Sequence, residues 1–195
     1  MMGPSSKLDD YIIVKKSAIP AVICDDVISK IENDQWRKHT WYNKVQDATY
    51  SEDTQELSVL DITIQMQQLL NPFMMQAFNE YVDKVKYGES NSNTSEIAYQ
   101  FSTIRFNKYE EGQLMRQHHD HIYSIFDGDR KGIPVISFIV NFNDGYDGAD
   151  LVFWDDYVVP LGKGDILMFP SLFLYPHKVT EMKSGIRYSG VSWAW

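Results

Sequence analysis

The run Tyr109-Glu-Glu-Gly-Gln-Leu-Met-Arg-Gln-His118-His119-Asp120-His121 gathers three of the chain's five histidines around one carboxylate. In a β-strand alternate side chains share a face, so His118 and Asp120 point together while His119 and His121 point the other way. A His-x-Asp pair arises often by chance, and it gains meaning only with a partner. His177 offers one, in a strand-like stretch of its own, with Arg187 ten residues beyond it. Two imidazoles and one carboxylate can take three positions on one side of a metal ion and leave the others open. Residue type alone leaves the metal undecided, zinc included, and His119 with His121 offers a rival pair on the opposite face.

Working outward, strand patterns follow one another at short spacing over about 97–107, 114–123, 133–143, 150–154, 157–160, 165–169, 175–181 and 186–194. Clusters such as Asp127-Gly-Asp129 and Asn143-Asp-Gly-Tyr-Asp-Gly148 punctuate them. Eight antiparallel strands of this kind suit a double-sheet jelly roll, although periodicity alone does not separate it from another β-sandwich.

The first half reads differently. Tyr11-Ile-Ile-Val-Lys15 is a short β-prone run, expected as an added edge strand. After Pro20, Val27, Ile28, Ile31 and Gln35 fall on one helical face, with Asp25 and Asp26 expected in the first turn. Residues 36–54 read as irregular, and His39 among them reads as a surface or packing histidine. From Asp61, the spacing of Ile62, Met66, Leu69, Leu70, Phe73, Ala77, Tyr81, Val82 and Val85 predicts helix. Pro72 predicts two helices or one kinked one. The polar stretch 88–96 separates helical support (11–88) from a strand-rich core (97–195). Neither part covers its own apolar face, so residues 1–195 are expected to form a single domain.

Composition narrows the function. With 195 residues and a hydrophobic fraction of 44%, the chain can bury one good core. No apolar run reaches the length of a membrane span, and the N-terminus lacks the apolar centre of a signal peptide. One cysteine, Cys24, allows no internal disulfide and fits a reducing compartment, so a cytoplasmic location is expected. A formal charge of −9 with no Lys/Arg cluster argues against a nucleic-acid partner. Oligomeric state is not legible.

The His118/Asp120 pair, His177, Arg187, Gly148-Ala-Asp-Leu-Val-Phe153 and Pro160-Leu-Gly-Lys-Gly-Asp-Ile-Leu-Met-Phe-Pro170 together resemble the Fe(II)/2-oxoglutarate dioxygenases. Within them the chain looks similar to the prolyl 4-hydroxylase-like branch, in its compact bacterial and phage form. The resemblance covers residues 97–195. It implies a double-stranded β-helix (a jelly roll) with N-terminal helices buttressing one sheet. It implies Fe(II) held by His118, Asp120 and His177, with 2-oxoglutarate and O₂ as co-substrates and ascorbate as a supporting reductant. Arg187 is the candidate anchor for the distal carboxylate of 2-oxoglutarate, since a guanidinium fork binds a carboxylate bidentately. Tyr109 matches a tyrosine that hydrogen-bonds the same carboxylate, and Ser189, on the same strand face as Arg187, can add a hydroxyl. Trp193 falls where related enzymes carry a tryptophan near the peptide substrate, and residues 121–133 resemble the loop that covers such sites. The implied reaction is hydroxylation of an aliphatic C–H, on a prolyl or other amino-acid residue, with 2-oxoglutarate converted to succinate and CO₂.

Two features depart from that branch. An arginine that peptide-binding members carry after the covering loop has no equivalent near Pro134, and the chain ends eight residues after Arg187, so no separate peptide-binding domain is expected. A free amino acid or other small molecule is therefore the alternative substrate to a peptide or protein. AlkB-like nucleobase demethylation would require an arginine where Trp193 stands, and halogenation would require loss of Asp120. A jelly roll that binds metal and 2-oxoglutarate without turnover is the non-enzymatic alternative. Arg105 and Arg116, on strands near the metal run, can serve an acidic group or form salt bridges.

Overall fold

A computed structural model describes residues 7–43, 48–50, 55–85, 97–98, 100–120 and 134–195. After a 3₁₀ turn (Leu8–Tyr11) the first half contains β1 (Ile13–Lys15), α1 (Ala21–Ile31), β2 (Arg37–Lys38), β3 (Trp41–Asn43), β4 (Ala48–Tyr50), β5 (Ser58–Asp61) and α2 (Ile64–Val85). Then come β6 (Arg105–Tyr109), β7 (Met115–His118), β8 (Ile136–Asn141), β9 (Asp147–Gly148) and β10 (Leu151–Phe153). The last elements are β11 (Tyr157–Val159), β12 (Ile166–Pro170), β13 (His177–Val179), β14 (Met182–Ser184) and β15 (Arg187–Ala194).

Two antiparallel sheets form the expected jelly roll. The larger has the order β1-β12-β8-β15-β6-β5-β2, the smaller β11-β10-β13-β7. The period-two rule divides the side chains of the larger sheet cleanly. Phe106, Phe138, Val140, Phe142, Ile166, Met168, Tyr188 and Ala194 face outward and join α1 and α2 in one core. Tyr109, Ile139, Leu167 and Phe169 face inward and meet Met115, Leu151, Phe153 and Val179 of the smaller sheet in a second. Every residue of β8 is buried, because it is covered on both faces. Each large apolar side chain so buried contributes about 1.5–3 kcal/mol.

The first half supplies more strand than its sequence suggests. β1 is the expected edge strand, antiparallel to β12. β5 and β2 extend the opposite edge beyond β6, and β3 pairs with β4, so residues 36–54 are not simply irregular and 11–88 is not helical support alone. The helix α1 begins directly after Pro20 and closes at Ile31, which leaves Asp25 and Asp26 beyond the first turn and Gln35 outside the helix. The Trp36 indole N–H donates to the Ile31 carbonyl at 2.9 Å and satisfies one of the helix's open ends. The second helical region is one helix with Pro72 inside it. Its continuous buried face (Met66, Leu70, Met74, Ala77, Phe78, Tyr81 and Val82) outweighs the roughly 3 kcal/mol that an interior proline costs. Residues 86–96 lie outside the described residues.

At the turn into β12, Gly164 has φ +82°, and its carbonyl accepts the Ile19 N–H at 2.9 Å. A Cβ at this position would stand 2.1 Å from the Ile19 oxygen. Gly112 has a similar φ of +80° but open space around it. Gly112→Ala should therefore cost about 1 kcal/mol, the conformational penalty alone. Gly164→Ala should cost clearly more, because it also forces the segment before α1 away from the sheet. Urea denaturation of the two variants checks this; equal losses would show that the close approach carries no weight.

Candidate metal centre

His118 closes β7 and His177 opens β13; the two are direct cross-strand partners, with ring centroids 4.3 Å apart. Asp120 lies two residues beyond His118, past the end of the strand. Its Oδ1 is 3.5 Å from His118 Nε2 and 3.8 Å from His177 Nε2. One donor atom from each of the three residues lies within 4.8 Å of the others. His119 is exposed and is not among the three grouped donors. His121, and with it the rival His-x-His pair, lies outside the described residues, as does the 121–133 loop.

Both imidazoles are oriented from behind. His118 Nδ1 is 2.8 Å from the Arg116 carbonyl and His177 Nδ1 is 3.1 Å from that of Tyr175. A carbonyl only accepts, so each Nδ1 carries the hydrogen and each Nε2 keeps its lone pair for the centre. Phe153 and Phe169 pack against the His177 ring at centroid distances of 5.3 and 4.9 Å. Burial holds that imidazole down at about 4, against the pull of Asp120, so His177 is neutral near pH 7. Burial alone would raise the Asp120 carboxyl; His177, His118 and the Ser137 hydroxyl outweigh it and keep the group well below the usual carboxylate range. Neutral imidazoles and an ionised carboxylate are the forms that bind a metal cation.

Trp41 packs edge-on against His118 at 5.6 Å. Its indole N–H donates to Glu56 Oε1 at 2.7 Å, and the Arg116 guanidinium lies 5.1 Å from its ring centroid. Arg116 also approaches Glu56 at 3.5 Å, so it forms the salt bridge anticipated for it. His39 is buried beside the same carboxylate, 3.5 Å from Oε2, and burial pushes it down to about 3. It packs edge-on against Trp41, a packing histidine rather than a surface one.

Arg187 projects inward from β15 and is 2% exposed. Nε donates to Asn141 Oδ1 at 2.9 Å and Nη1 to the Ala149 carbonyl at 2.8 Å. The Tyr109 ring, on the cross-strand partner residue, lies 5.7 Å from its Cζ. Ser189 is buried on the same face, opposite Asn107 and Asn141. Beside Arg187 a cleft of about 260 Å³ runs past Tyr146, Ala149 and Leu161. Trp193 lies farther along the same face of β15, opposite Ser137. The sequence reading did not single out Asn141, Ser137, Trp41 or Glu56. The first two were visible as polar positions at alternate places in the otherwise apolar run Ile136–Asn141; nothing local marked the other two.

The sequence model of the 2OG-Fe(II) oxygenase superfamily matches residues 104–195, the stretch that carries all of these groups except Trp41, Glu56 and His39. Over residues 104–195 the chain is similar to that superfamily. A PKHD-type hydroxylase of Idiomarina loihiensis is 31% identical over 97 residues, covering 48% of this chain and 42% of that protein, so the chain spans under half of this relative's length. Among solved structures, the viral collagen prolyl hydroxylase of Paramecium bursaria Chlorella virus-1, in complex with 2-oxoglutarate, superposes with a TM-score of 0.65 at 14% identity, over 94% of each chain. A Pseudomonas putida prolyl-4-hydroxylase gives 0.63 at 18% identity, over 96% of this chain and 95% of the other. A Trichoplax adhaerens prolyl hydroxylase bound to a hypoxia-inducible-factor peptide gives 0.67 at 12%, over 95% and 84%. At these identities the likeness to the oxygenase structures is one of fold.

A metal centre of this composition should lose its ion when any of the three donors is removed. In anaerobic calorimetric titration with Fe(II), His118→Ala, Asp120→Ala and His177→Ala should each abolish high-affinity binding, while His119→Ala binds as the parent does. Retained binding in Asp120→Ala, or loss in a folded His119→Ala, would overturn the assignment.

Proposed function

We propose that the chain is an Fe(II)- and 2-oxoglutarate-dependent dioxygenase that hydroxylates an aliphatic C–H, on a prolyl residue of a peptide or protein. The observation that carries this reading is a pairing. Two back-braced imidazoles and a carboxylate converge on one point, and a buried arginine on the same inner face forms no ion pair among the described residues. His118, Asp120 and His177 fit Fe(II) by donor chemistry: neutral nitrogen lone pairs and one anionic oxygen, with room left for further ligands. Bound iron supplies the activation of O₂ that couples conversion of 2-oxoglutarate to succinate and CO₂ with transfer of one oxygen atom to the substrate C–H.

The protein's own part is positioning. Arg187, fixed by Asn141 and the Ala149 carbonyl, offers its fork to the distal carboxylate of 2-oxoglutarate, with Tyr109 and Ser189 beside it. Burial raises the Tyr109 phenol above its ordinary value, so it stays protonated and can donate to a carboxylate. Phe153 and Phe169 keep water from the back of His177. Trp193 presents an aromatic surface on the substrate side, suited to a pyrrolidine ring. The prolyl hydroxylases among the similar structures support the choice of substrate residue. Entry of β1 and β5 into the sheet that carries Arg187 supports reading residues 1–195 as one catalytic unit. No described helix is long and apolar enough to cross a membrane, and buried Cys24 accords with a reducing, cytoplasmic setting.

The test is succinate release and a +16 Da product from proline-containing peptides, with free proline and other amino acids alongside, in the presence of Fe(II), ascorbate and 2-oxoglutarate. Hydroxylation of free amino acids alone would replace the peptide by the small-molecule alternative, and 2-oxoglutarate binding without succinate would indicate a sensor. Arg187→Met should weaken 2-oxoglutarate binding by about 2–5 kcal/mol, roughly thirty- to several-thousand-fold. Tyr109→Phe should cost about 0.5–3 kcal/mol. Unchanged affinity in Arg187→Met would place the carboxylate elsewhere.

A further inference from the structure

We propose that Arg105 and Trp193 form a second carboxylate-binding subsite, which holds a carboxylate of the substrate beside the C–H to be oxidised. The proposal rests on the dioxygenase reading and names the chemistry its substrate carries.

Arg105, Asn107 and Tyr109 share the inward face of β6, opposite Val191, Ser189 and Arg187. Among the described residues, Arg105 forms no ion pair. Arg116 approaches Glu56, and Asp61, directly across from Arg105 on β5, gives its carboxylate to Arg37 at 3.0 Å. Among the described residues the Arg105 guanidinium makes one hydrogen bond, from Nε to Asn107 Oδ1 at 3.2 Å, which fixes the group and leaves both terminal nitrogens available. A half-buried guanidinium that has the charges of Asp120 and Asp61 in its surroundings but no carboxylate at ion-pair distance is costly and calls for a partner.

The indole of Trp193 lies against it, with Arg105 Cζ 5.7 Å from the ring. Trp193 Nε1 is buried and has no hydrogen-bond acceptor among the described residues. Three donors of two kinds thus lie on neighbouring side chains: two terminal guanidinium nitrogens and an indole N–H. Such a set is complementary to a carboxylate, which accepts a fork through two oxygens and has lone pairs left for a third donor. The spot lies on the inward face of the larger sheet, the face turned toward the smaller sheet and its metal donors, since Trp193 is the cross-strand partner of inward-facing Ser137.

This subsite is separate from Arg187. Arg187 faces Tyr109 and Arg105 faces Val191, four residues farther along the strands, or about 13 Å. One 2-oxoglutarate cannot reach the metal from Arg187 and also bind Arg105. The carboxylate at Arg105 therefore comes from the substrate, either as the free α-carboxylate of the hydroxylated residue or as an Asp or Glu side chain beside it.

The experiment uses the full chain loaded with Mn(II) and 2-oxoglutarate without oxygen, and reads tryptophan fluorescence and calorimetry. The probes are N-acetylproline, N-acetylprolinamide and N-acetyl-glutamyl-prolinamide. At least one carboxylate probe should bind about tenfold or more tighter than N-acetylprolinamide, and the tighter of the two identifies the source of the carboxylate. Arg105→Gln should remove that advantage, weakening the preferred probe roughly thirtyfold, with 2-oxoglutarate affinity unchanged. Trp193→Phe keeps the ring and removes the N–H, and should lose part of the advantage; Arg105→Lys keeps the charge without the fork, and should do likewise. Thermal melts identify any variant that fails to fold, in which case the other two decide. Equal binding of acid and amide, absence of binding by all three probes, or a shift in 2-oxoglutarate affinity in Arg105→Gln would each overturn the subsite. If the parent protein itself fails to bind 2-oxoglutarate, the dioxygenase reading fails first; if it binds and Arg187→Met abolishes that, only the carboxylate inference is at stake.

Discussion

The pairing of β7 with β13 is the constraint on which the site depends. It sets His118 directly across from His177, so the two imidazoles meet because two backbones hydrogen-bond in one register. A slip of one residue would turn either ring to the other face of the sheet. The carbonyls of Arg116 and Tyr175, each two residues before its histidine, then fix the ring orientations. The smaller sheet therefore positions the metal donors, while the larger carries the polar groups that face them: Arg105, Asn107 and Tyr109 on β6, Ser137 and Asn141 on β8, and Arg187 and Ser189 on β15. Polar side chains on the inner face of a packed sandwich cost stability unless they find partners, and here they lie where reactants are expected to enter.

What the sequence revealed follows from how local each signal is. The division of His118 and Asp120 from His119 agrees with the alternation read from the sequence, although the strand itself closes at His118 and Asp120 follows it. The run Ile136–Asn141 announced a strand covered on both sides. Neither β2 nor β5 was legible, since Arg37-Lys38 and Ser58–Asp61 carry no sustained alternation; they are strands because β6 leaves an edge for β5, and β5 one for β2. Pro72 signalled a break, but the apolar face on either side of it is one surface against one sheet, and burial decided the outcome.

The site was legible to the same degree. Spacing and resemblance brought out His118, Asp120, His177 and Arg187. The groups that hold them were not, because Asn141 and Arg187 are 46 residues apart and Glu56 and Arg116 are 60 apart. The two arginines near the metal run show the limit most clearly. Arg105 and Arg116 look alike as strand residues, yet one meets a buried glutamate and the other faces the interior beside an indole.

The strand order of the larger sheet also bears on how the protein reaches this state. Ile13 pairs with Met168, Leu60 with Phe106 and Tyr109 with Arg187, so neighbours in space are remote along the chain. Each such closure costs chain entropy before its contacts repay it, which places the chain among the slow-folding, high-contact-order topologies. The metal pocket inherits this dependence, since its two imidazoles come from strands separated by β8 through β12 in the sequence. An unfolded chain can present His118 and Asp120 together, but the third donor arrives only when the smaller sheet closes. Cation affinity is thus tied to completion of the sandwich, and a cation that binds the finished site adds to the stability of the folded state.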